Sequence, residues 1–446
     1  MEFNEIKAIL ADEAKLRGVE EYELYYTSGT SVSTETLKDE ISSFSSGTSG
    51  GLCFRCRIDG KIGYAATELF EESELRDLVS RAAENAKNIE KAEGIIFSGS
   101  PEYEKLPARE YIPASAAELK RAALELQQKT YGTDARVTDG TQSCALTASR
   151  EIRIVNSHGL ELSNSMGASA LYALPVIKDG EESQQDFVME LYNGKNDMEA
   201  LAKRAVDKTV AKLGAGNVKT GKYNVVIDGD EMRSLLSVYS VAFTAKQAQS
   251  GLSLLAGKEG EKIASDIITL TDDPMRDECP CITNFDAEGV AARRKTVIDK
   301  GVLKTLLYNL ETAAKAGVES TGNASKAGYA APVGTSPYAF CIEAGDKTLD
   351  ELFAMAENGI YITEVKGLHA GANAVTGDFS VESAGFLIEN GKKTRAIKNF
   401  TVAGNFFELL KSITALSDKI ELGVPMSTTA FGSPAVLVPN MSVAGE

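Results

Sequence analysis

The spacing of apolar residues predicts that the chain opens with a helix, several strands and a second helix. Across residues 3–14 apolar positions recur at helical spacing, which predicts an amphipathic helix. Apolar and polar residues alternate from Tyr22 to Tyr26 and from Leu52 to Ile58, and this period of two predicts strands. Asp59-Gly60 predicts a type I′ hairpin turn after the second of these strands. Ser73 is a suitable N-cap for the helix that follows.

The rest of the chain divides into a second mixed unit and a strand-rich domain. A polar stretch at 97–102 predicts a linker, and Ser115 with Glu118 forms a capping box that predicts a helix start. Short alternating segments and one further helix follow, until a strand from Tyr223 to Ile227 opens glycine-rich, strand-rich sequence. We therefore expect an α+β fold, with mixed N-terminal α/β subdomains at 1–95 and 110–215 and a strand-rich C-terminal domain at 222–446.

Charge and composition narrow the class of function. The chain has 446 residues, with 64 acidic and 47 basic side chains and a net charge of −17, which opposes contact with a phosphate backbone. No apolar run reaches the roughly 18 residues of a membrane span, and the first residues are acidic where a signal peptide would be basic. Six cysteines suit reduced thiols. We expect a cytoplasmic protein that binds neither nucleic acid nor membrane.

The segment Gly47-Thr48-Ser49-Gly50-Gly51 fits the short pattern of a nucleophile elbow. That elbow needs a strand-to-helix turn, whereas the pattern here predicts that a strand follows. We therefore favour a Ser/Gly-rich loop over a catalytic Ser49.

Cysteine and histidine positions offer little for a metal site. Cys53 and Cys56 with Cys279 and Cys281 match the residue types of a four-thiolate zinc site. Residues three apart on a strand point to opposite faces, so the first pair is poorly placed to share one ion, and buried free thiols are favoured.

The two histidines, His158 and His369, lie far apart in glycine-flanked segments, and neither belongs to a spacing that puts two imidazoles on one helical face. A structural role is favoured for both. A substrate or partner contact stays open for His369, because polar residues on glycine-rich loops are common at sites.

Several blocks in the second half of the chain resemble the TldD/PmbA family, whose members are known as modulators of DNA gyrase and as metallopeptidases. The blocks are Phe285–Val290, Gly301–Lys304, Ser320–Ser325, Thr376–Ser380, Gly385–Gly391 and Thr401–Asn405. Their order along the chain is far more specific than any single motif above. Together with the Gly50-Gly51 segment and its hairpin, they extend the resemblance over nearly the whole chain.

The resemblance implies a branch as well as a family. The catalytic branch carries a His-Glu-x-x-x-His helix early in its last domain and a cysteine near its C-terminus. In this chain the corresponding segments, Leu236–Val241 and Ser417–Ile420, contain no such residue. The resemblance is therefore to the PmbA/TldE branch, which lacks that motif. It implies a non-catalytic subunit of a cytosolic metallopeptidase for proteolysis or maturation of unstructured peptides, with a TldD-like catalytic partner in a heterodimer.

This reading places the metal, expected to be zinc, in the partner, so that no catalytic residue, metal ligand or cofactor is expected in this chain. It also predicts a homodimer when the chain is isolated, because Phe406, Phe407, Leu409 and Leu410 are expected to offer an apolar face. The residues expected to contact substrate or partner are His369, Asn373, Thr376, Gly377, Asp378, Phe379 and Ser380.

Two other functions stay open at this point. One is a self-sufficient hydrolase that uses a serine, threonine or carboxylate, although no histidine lies near Ser49 in the sequence. The other is a regulatory protein-binding factor of the gyrase-modulator type, since a charge of −17 disfavours DNA contact but not protein contact.

Overall fold

The computed structural model of the chain describes residues 1–89, 102–109 and 111–446. The boundary expected at residue 95 and residues 97–101 of the predicted linker lie outside these ranges.

The first unit is a helix, three antiparallel strands and a helix. Its elements are α1 (Phe3–Leu16), β1 (Glu21–Leu37), β2 (Glu40–Ile58), β3 (Lys61–Thr67) and α2 (Glu72–Asn88). The hairpin predicted at Asp59-Gly60 is confirmed, since both residues have the positive φ angles, 51° and 75°, of a type I′ turn. The helix expected after an N-cap at Ser73 begins two residues earlier, at Glu72, so that Glu71 is its N-cap and the prediction for Ser73 is wrong.

The second unit repeats this plan with more strands. Its elements are α3 (Ala116–Thr133), β4 (Gln142–Asn156), β5 (Glu161–Leu174), β6 (Val176–Asp179), β7 (Glu182–Gln185), β8 (Val188–Leu191) and α4 (Met198–Val210). The capping box at Ser115 is confirmed: its hydroxyl accepts from the Glu118 N–H, and the Glu118 carboxylate accepts from the Ser115 N–H.

The two units share one six-stranded sheet, in the order β3-β2-β1-β4-β5-β8. The units join where β1 pairs antiparallel with β4, from Glu23 opposite Asn156 to Leu37 opposite Gln142. The four main helices cover one face of this sheet, where alternate side chains such as Leu24, Phe54 and Leu171 form their cores. The opposite face of β1, β2, β4 and β5 is left for the third domain.

The third domain contains many short elements, and the whole chain is α+β as predicted. Its helices are α5 (Gly229–Tyr239), α6 (Ala245–Gln249), α7 (Leu310–Ala316), α8 (Leu349–Ala356), α9 (Leu368–Gly371) and α10 (Phe406–Ser412), with a 3₁₀ turn at Ser240–Phe243. Its strands are β9 (Gly221–Ile227), β10 (Leu270–Asp273), β11 (Lys295–Asp299), β12 (Val302–Leu303), β13 (Ala324–Ser325), β14 (Gly334–Thr335), β15 (Ala339–Ile342), β16 (Gly359–Lys366), β17 (Asp378–Glu389), β18 (Lys392–Asn405), β19 (Ala415–Leu422) and β20 (Ala430–Ala444).

Five of these strands close into a barrel. The ring runs β9-β16-β17-β18-β20 and returns to β9, because β20 pairs with both β18 and β9. β15, β10, β11 and β12 extend the sheet from β20, and β19 pairs with β20 as well. The largest apolar core of the chain fills this domain.

The residues expected to form an exposed apolar face belong to that core instead. Phe406, Phe407, Leu409 and Leu410 are all buried, and the Phe406 ring stacks on Tyr239 with centroids 4.4 Å apart. Asn405 is the N-cap of α10, and this helix packs against β18 and β20. The prediction that these residues form an exposed apolar face is therefore wrong.

Strand geometry explains the Ser/Gly segment and the cysteines. Gly47–Gly51 lies within β2, where it pairs with Thr27–Ser31, so the loop favoured for it is wrong. Cys53 and Cys56 face opposite sides of the sheet, as expected, in separate clusters. All six cysteines lie in the described part of the chain as buried free thiols. No helix among the described residues has the length and apolarity needed to cross a bilayer.

Candidate functional site

A cleft separates the uncovered face of the N-terminal sheet from three loops of the third domain, at residues 281–287, 324–338 and 426–429. It consists of two adjoining cavities of about 500 and 370 Å³. The residues that line both are Arg150, Ile152, Met166, Ala327, Ser427 and Thr428. This is the size range of small-ligand or peptide side-chain sites.

The period of two along each strand sets which side chains line the cleft. On β4, Arg150 and Ile152 share the face toward the cleft, while Glu151 between them lies on the opposite face. On β1, Tyr25 and Thr27 share that face, and Met166 on β5 lies opposite Arg150. The floor of the cleft is therefore a sheet face of mixed polar and apolar side chains that carries one arginine.

A buried ionic cluster fixes the sheet to the third domain at one end of the cleft. Arg55 on β2 donates to Glu23 on β1 (3.1 Å) and to Glu288 of the third domain (3.4 Å). All three side chains are less than 8% exposed. Burial raises the pKa of Glu23 despite the neighbouring guanidinium. The cluster sets the distance between the two walls of the cleft.

Asp286 fixes the loops of the opposite wall. Its Oδ1 accepts from the backbone N–H groups of Glu288 and Val290, and its Oδ2 accepts from that of Ala324, each at 2.9 Å. The carboxyl is buried, and burial together with the nearby Glu288 raises its pKa to about 7. Both oxygens are therefore used to hold the 286–290 turn against β13.

β13 leads directly into Lys326, which reaches back to the sheet. Its ammonium lies 4.6 Å from the centre of the Tyr25 ring, beside the Cys53 thiol. Burial lowers the pKa of Lys326 and raises that of Tyr25 to about 12. The 370 Å³ cavity thus contains two cations, Lys326 and Arg150, with the Tyr25 phenol.

The 500 Å³ cavity opens onto an unpaired strand edge. Within the described residues, β2 pairs only with β1 from Ile41 to Gly51, because its pairing with β3 begins at Leu52. This stretch carries no charged residue or proline, the usual protection of an exposed edge. Its end, Ser49 and Gly50, lines the cavity. An extended chain can pair there.

Tyr329 closes the cleft over the end of this edge. Its ring lies directly on Gly51, where a Cβ atom would come within 2.6 Å of the ring, and its hydroxyl donates to Glu68. Glycine is therefore required at position 51 because an aromatic ring approaches the backbone closely there. The sequence pattern indicates only a Ser/Gly-rich loop.

The loop chosen from the sequence lies elsewhere on the surface. None of its seven named residues lines the cleft formed by the described residues. Exposed side chains are those of His369, Asn373, Thr376, Asp378 and Ser380. The Asn373 Oδ1 accepts from the backbone N–H groups of Val375 and Thr376.

Two of the seven residues serve the fold. Phe379 is buried in the barrel core. Gly377 has a φ of 80°, and a Cβ atom there would lie 2.8 Å from the Asn405 amide. The loop also contacts the end of α5, because the Tyr239 hydroxyl donates to the Asp378 carbonyl oxygen at 2.8 Å. The structure thus brings together the loop and the helix that the resemblance singled out.

That helix carries no metal ligand in its second half. Leu236 and Tyr239 are buried there, and Ser237 and Ser240 donate to carbonyl oxygens one turn back. Across residues 1–89, 102–109 and 111–446, no three His, Cys, Asp or Glu side chains are grouped to hold a metal ion.

Sequence reasoning missed Tyr25, Arg150 and Lys326. A signal existed for two of them. Arg150 interrupts an otherwise uncharged alternating set at 148, 150, 152 and 154, and Lys326 directly follows the Ser320–Ser325 block. Their meeting depends on how the domains pack, which no local pattern encodes.

Comparison with known proteins agrees with this architecture. Family models for the PmbA/TldA metallopeptidases match the chain as domain 1 at 22–86, the central domain at 109–213 and the C-terminal domain at 220–445. A Methanothermobacter thermautotrophicus protein named metalloprotease is 28% identical over 438 residues, 94% of either chain.

Two solved structures have the same fold. A Thermotoga maritima protein named as a modulator of a DNA gyrase superposes with a TM-score of 0.88 at 27% identity, covering 99% of this chain and 100% of its own. TldE from Thermococcus kodakarensis superposes with a TM-score of 0.89 at 24% identity, covering 98% and 99%. From the three family matches along its length, this chain belongs to the PmbA/TldD metallopeptidase family.

Proposed function

We propose that this chain is the non-catalytic subunit of a two-component metallopeptidase that cleaves unstructured peptides. A TldD-like partner would supply the metal, with zinc as the expected ion, and the hydrolytic residues. This chain would hold part of the extended substrate.

The side chains of α5 support the non-catalytic role. Zinc hydrolysis requires about three protein ligands, a metal-bound water and a carboxylate that moves its proton. The second half of α5 supplies leucine, serine, valine and tyrosine. Its first half contains Glu231, but the Glu231 carboxylate accepts from the Val365 N–H at 3.0 Å. His158 and His369 lie in different domains, on a hairpin turn and on α9.

One observation carries the substrate-holding role: the uncharged edge of β2 is unpaired from Ile41 to Gly51 in the described structure and ends in the cleft. A peptide that adds a strand to such an edge gains main-chain hydrogen bonds that do not depend on its sequence. This suits a peptidase for unfolded chains, since folded substrates present few free strands. Among the described residues, the barrel strands of the third domain are paired on both sides and offer no such edge.

Exposed apolar residues near the end of α5 support a partner surface there. Val241, Leu252, Leu254 and Val375 are each between 38% and 51% exposed. Two hydrogen bonds tie their segments together, from the Ser253 hydroxyl to the Ala242 carbonyl and from Tyr239 to the 367–380 loop. A catalytic subunit that covers this surface would bury apolar side chains.

The test combines metal analysis with reconstitution. The purified chain should contain no stoichiometric zinc or iron and should not cleave an unstructured peptide. Cleavage should appear when a TldD-like subunit from the same organism is added, with metal bound to that subunit. About one metal per chain and cleavage by this chain alone would contradict the proposal.

Strand addition is tested with the peptide rather than the protein. A peptide N-methylated at alternate backbone positions cannot donate the bonds of an added strand on that side, although its side chains are unchanged. It should bind the chain much more weakly than the same peptide methylated in the alternate register or left unmodified. Equal binding of all three peptides would exclude strand addition.

A further inference from the structure

Two cations lie in the cleft without an acidic partner among the described residues. Arg150 and Lys326 both line the 370 Å³ cavity. Neither has a nitrogen within 4.0 Å of a carboxylate oxygen of any residue that the structure describes. Arg150 and Lys326 are half-buried, whereas the fully buried Arg55 is paired with Glu23 and Glu288.

The acidic groups nearest to this cavity are engaged elsewhere. Glu68, which lines the adjoining 500 Å³ cavity as Arg150 does, accepts from the Tyr329 hydroxyl. Asp286 also lines it, but its two oxygens accept three backbone N–H bonds. Glu23, which acts electrostatically on Lys326, is paired with Arg55. Lys326 therefore rests on the ring of Tyr25, a weaker substitute for an anion.

This arrangement is unfavourable unless something completes it. Removing an ammonium from water costs free energy that a paired carboxylate normally offsets, and the lowered pKa of Lys326 reflects that cost. The chain as a whole carries a net charge of −17, so two cations without an acidic partner in one cavity are an exception to its acidic composition. A cavity of this kind concentrates anions.

We infer that the Arg150–Lys326 cavity binds a carboxylate of the extended peptide. The inference rests on the proposed substrate-holding function and adds a chemical preference to it. A guanidinium and an ammonium provide charge-assisted hydrogen bonds to such a group. Ser427 and Thr428 line both cavities, and Thr428 carries a further hydroxyl there, whereas the Ser427 hydroxyl already donates to the Thr429 carbonyl oxygen at 3.1 Å. The carboxylate is either the C-terminus of the peptide or an Asp or Glu side chain.

The experiment measures binding of labelled unstructured peptides to the full chain by fluorescence anisotropy. Two neutral peptides differ only in a free or an amidated C-terminus, and two amidated peptides differ only in a central Glu or Gln. At least about a tenfold tighter binding of the free C-terminus, or of the Glu peptide, is expected, and the pair that differs identifies the source of the carboxylate. The difference should shrink with added salt.

Lys326→Met and Arg150→Met should remove that difference between the members of each pair. Lys326→Arg should retain it. Lys195→Met and Arg121→Met replace exposed residues outside the cleft and serve as matched controls that keep the difference. Thermal melting of each variant shows that the fold is intact.

The outcomes distinguish failure of the carboxylate site from failure of the substrate-holding function on which it rests. Equal binding of both members of each pair would overturn the carboxylate site and leave strand addition in place. Saturable binding of none of the four peptides would overturn the substrate-holding role together with the site. Retention of the difference in both methionine variants would also overturn the site.

Discussion

Replacing Arg55 with methionine should strongly destabilise the attachment of the N-terminal sheet to the third domain. The substitution keeps an unbranched apolar stem but removes the cation between Glu23 and Glu288. The two carboxylates are 2% and 1% exposed, so neither gains water in compensation.

The magnitude follows from the geometry of the cluster. Removing one member of a buried ion pair typically costs about 3–5 kcal/mol, because the remaining charge is left without a partner. Arg55 serves two carboxylates at 3.1 and 3.4 Å, so we expect a loss at the upper end of that range, about 5 kcal/mol. The loss should be smaller at pH 5 than at pH 8. Burial raises the pKa of Glu23, and loss of Arg55 removes the charge that opposes this rise, so the stabilising proton on Glu23 is lost as the pH rises.

The assay is urea unfolding followed by far-UV circular dichroism, since the chain contains no tryptophan. A triple variant, Arg55→Met with Glu23→Gln and Glu288→Gln, should recover most of the stability, because a buried charged set replaced as a whole is often nearly neutral. In Glu288→Gln the side-chain amide oxygen can still accept from the Leu310 N–H, which the Glu288 carboxylate binds at 2.9 Å. The control is Lys203→Met, which breaks an exposed pair with Asp207 and should cost less than about 1 kcal/mol.

A loss below about 1 kcal/mol in Arg55→Met would refute the reasoning, since the cluster would then not carry the attachment. A triple variant as unstable as the single one would refute the charge argument and leave only lost packing as the cause.

Three further predictions concern other parts of the chain. Gly51→Ala should cost about 1–3 kcal/mol in thermal melting through its clash with the Tyr329 ring, and adding Tyr329→Ala should remove much of that cost. Burial, with two nearby aspartates, raises the pKa of Glu231 to about 7, so its folded-state proton stabilises the fold at pH 5, and most of that stabilisation is gone at pH 7. Glu231→Gln should therefore gain about 2 kcal/mol relative to wild type between those pH values in urea titrations, and no change would contradict the raised pKa. His369→Ala or Asp378→Ala should impair peptide cleavage by the reconstituted complex with a stability change below about 0.5 kcal/mol, whereas full activity in both would remove the loop from substrate handling.

Features that depend on neighbours in the sequence were predictable. Asp59-Gly60 specifies its own turn, because few residue pairs adopt positive φ at both positions. Ser115 and Glu118 satisfy each other across one helical turn, so their pattern contains the whole interaction. The spacing of apolar residues predicted the α+β fold, and the ordered blocks of the second half identified the family.

Features that depend on residues distant in the sequence were not predictable. Serine and glycine have low intrinsic preference for strands, so Gly47–Gly51 read as a loop, yet pairing with β1 holds it in a sheet. The apolar run in α10 gave no sign of whether its partner was the barrel core or another subunit. Arg150 and Lys326 share a cavity only because the third domain packs on the uncovered face of the sheet.

The barrel imposes an order on how this chain is made. β9 is the first strand of the third domain, and its partner β20 comes more than 200 residues later, at Ala430–Ala444. During synthesis the ring stays open until that final strand leaves the ribosome, while β1 to β8 and their helices can already fold. The third domain therefore folds late, through contacts of long sequence separation, and its unpaired strands are exposed to aggregation for longer than the N-terminal sheet.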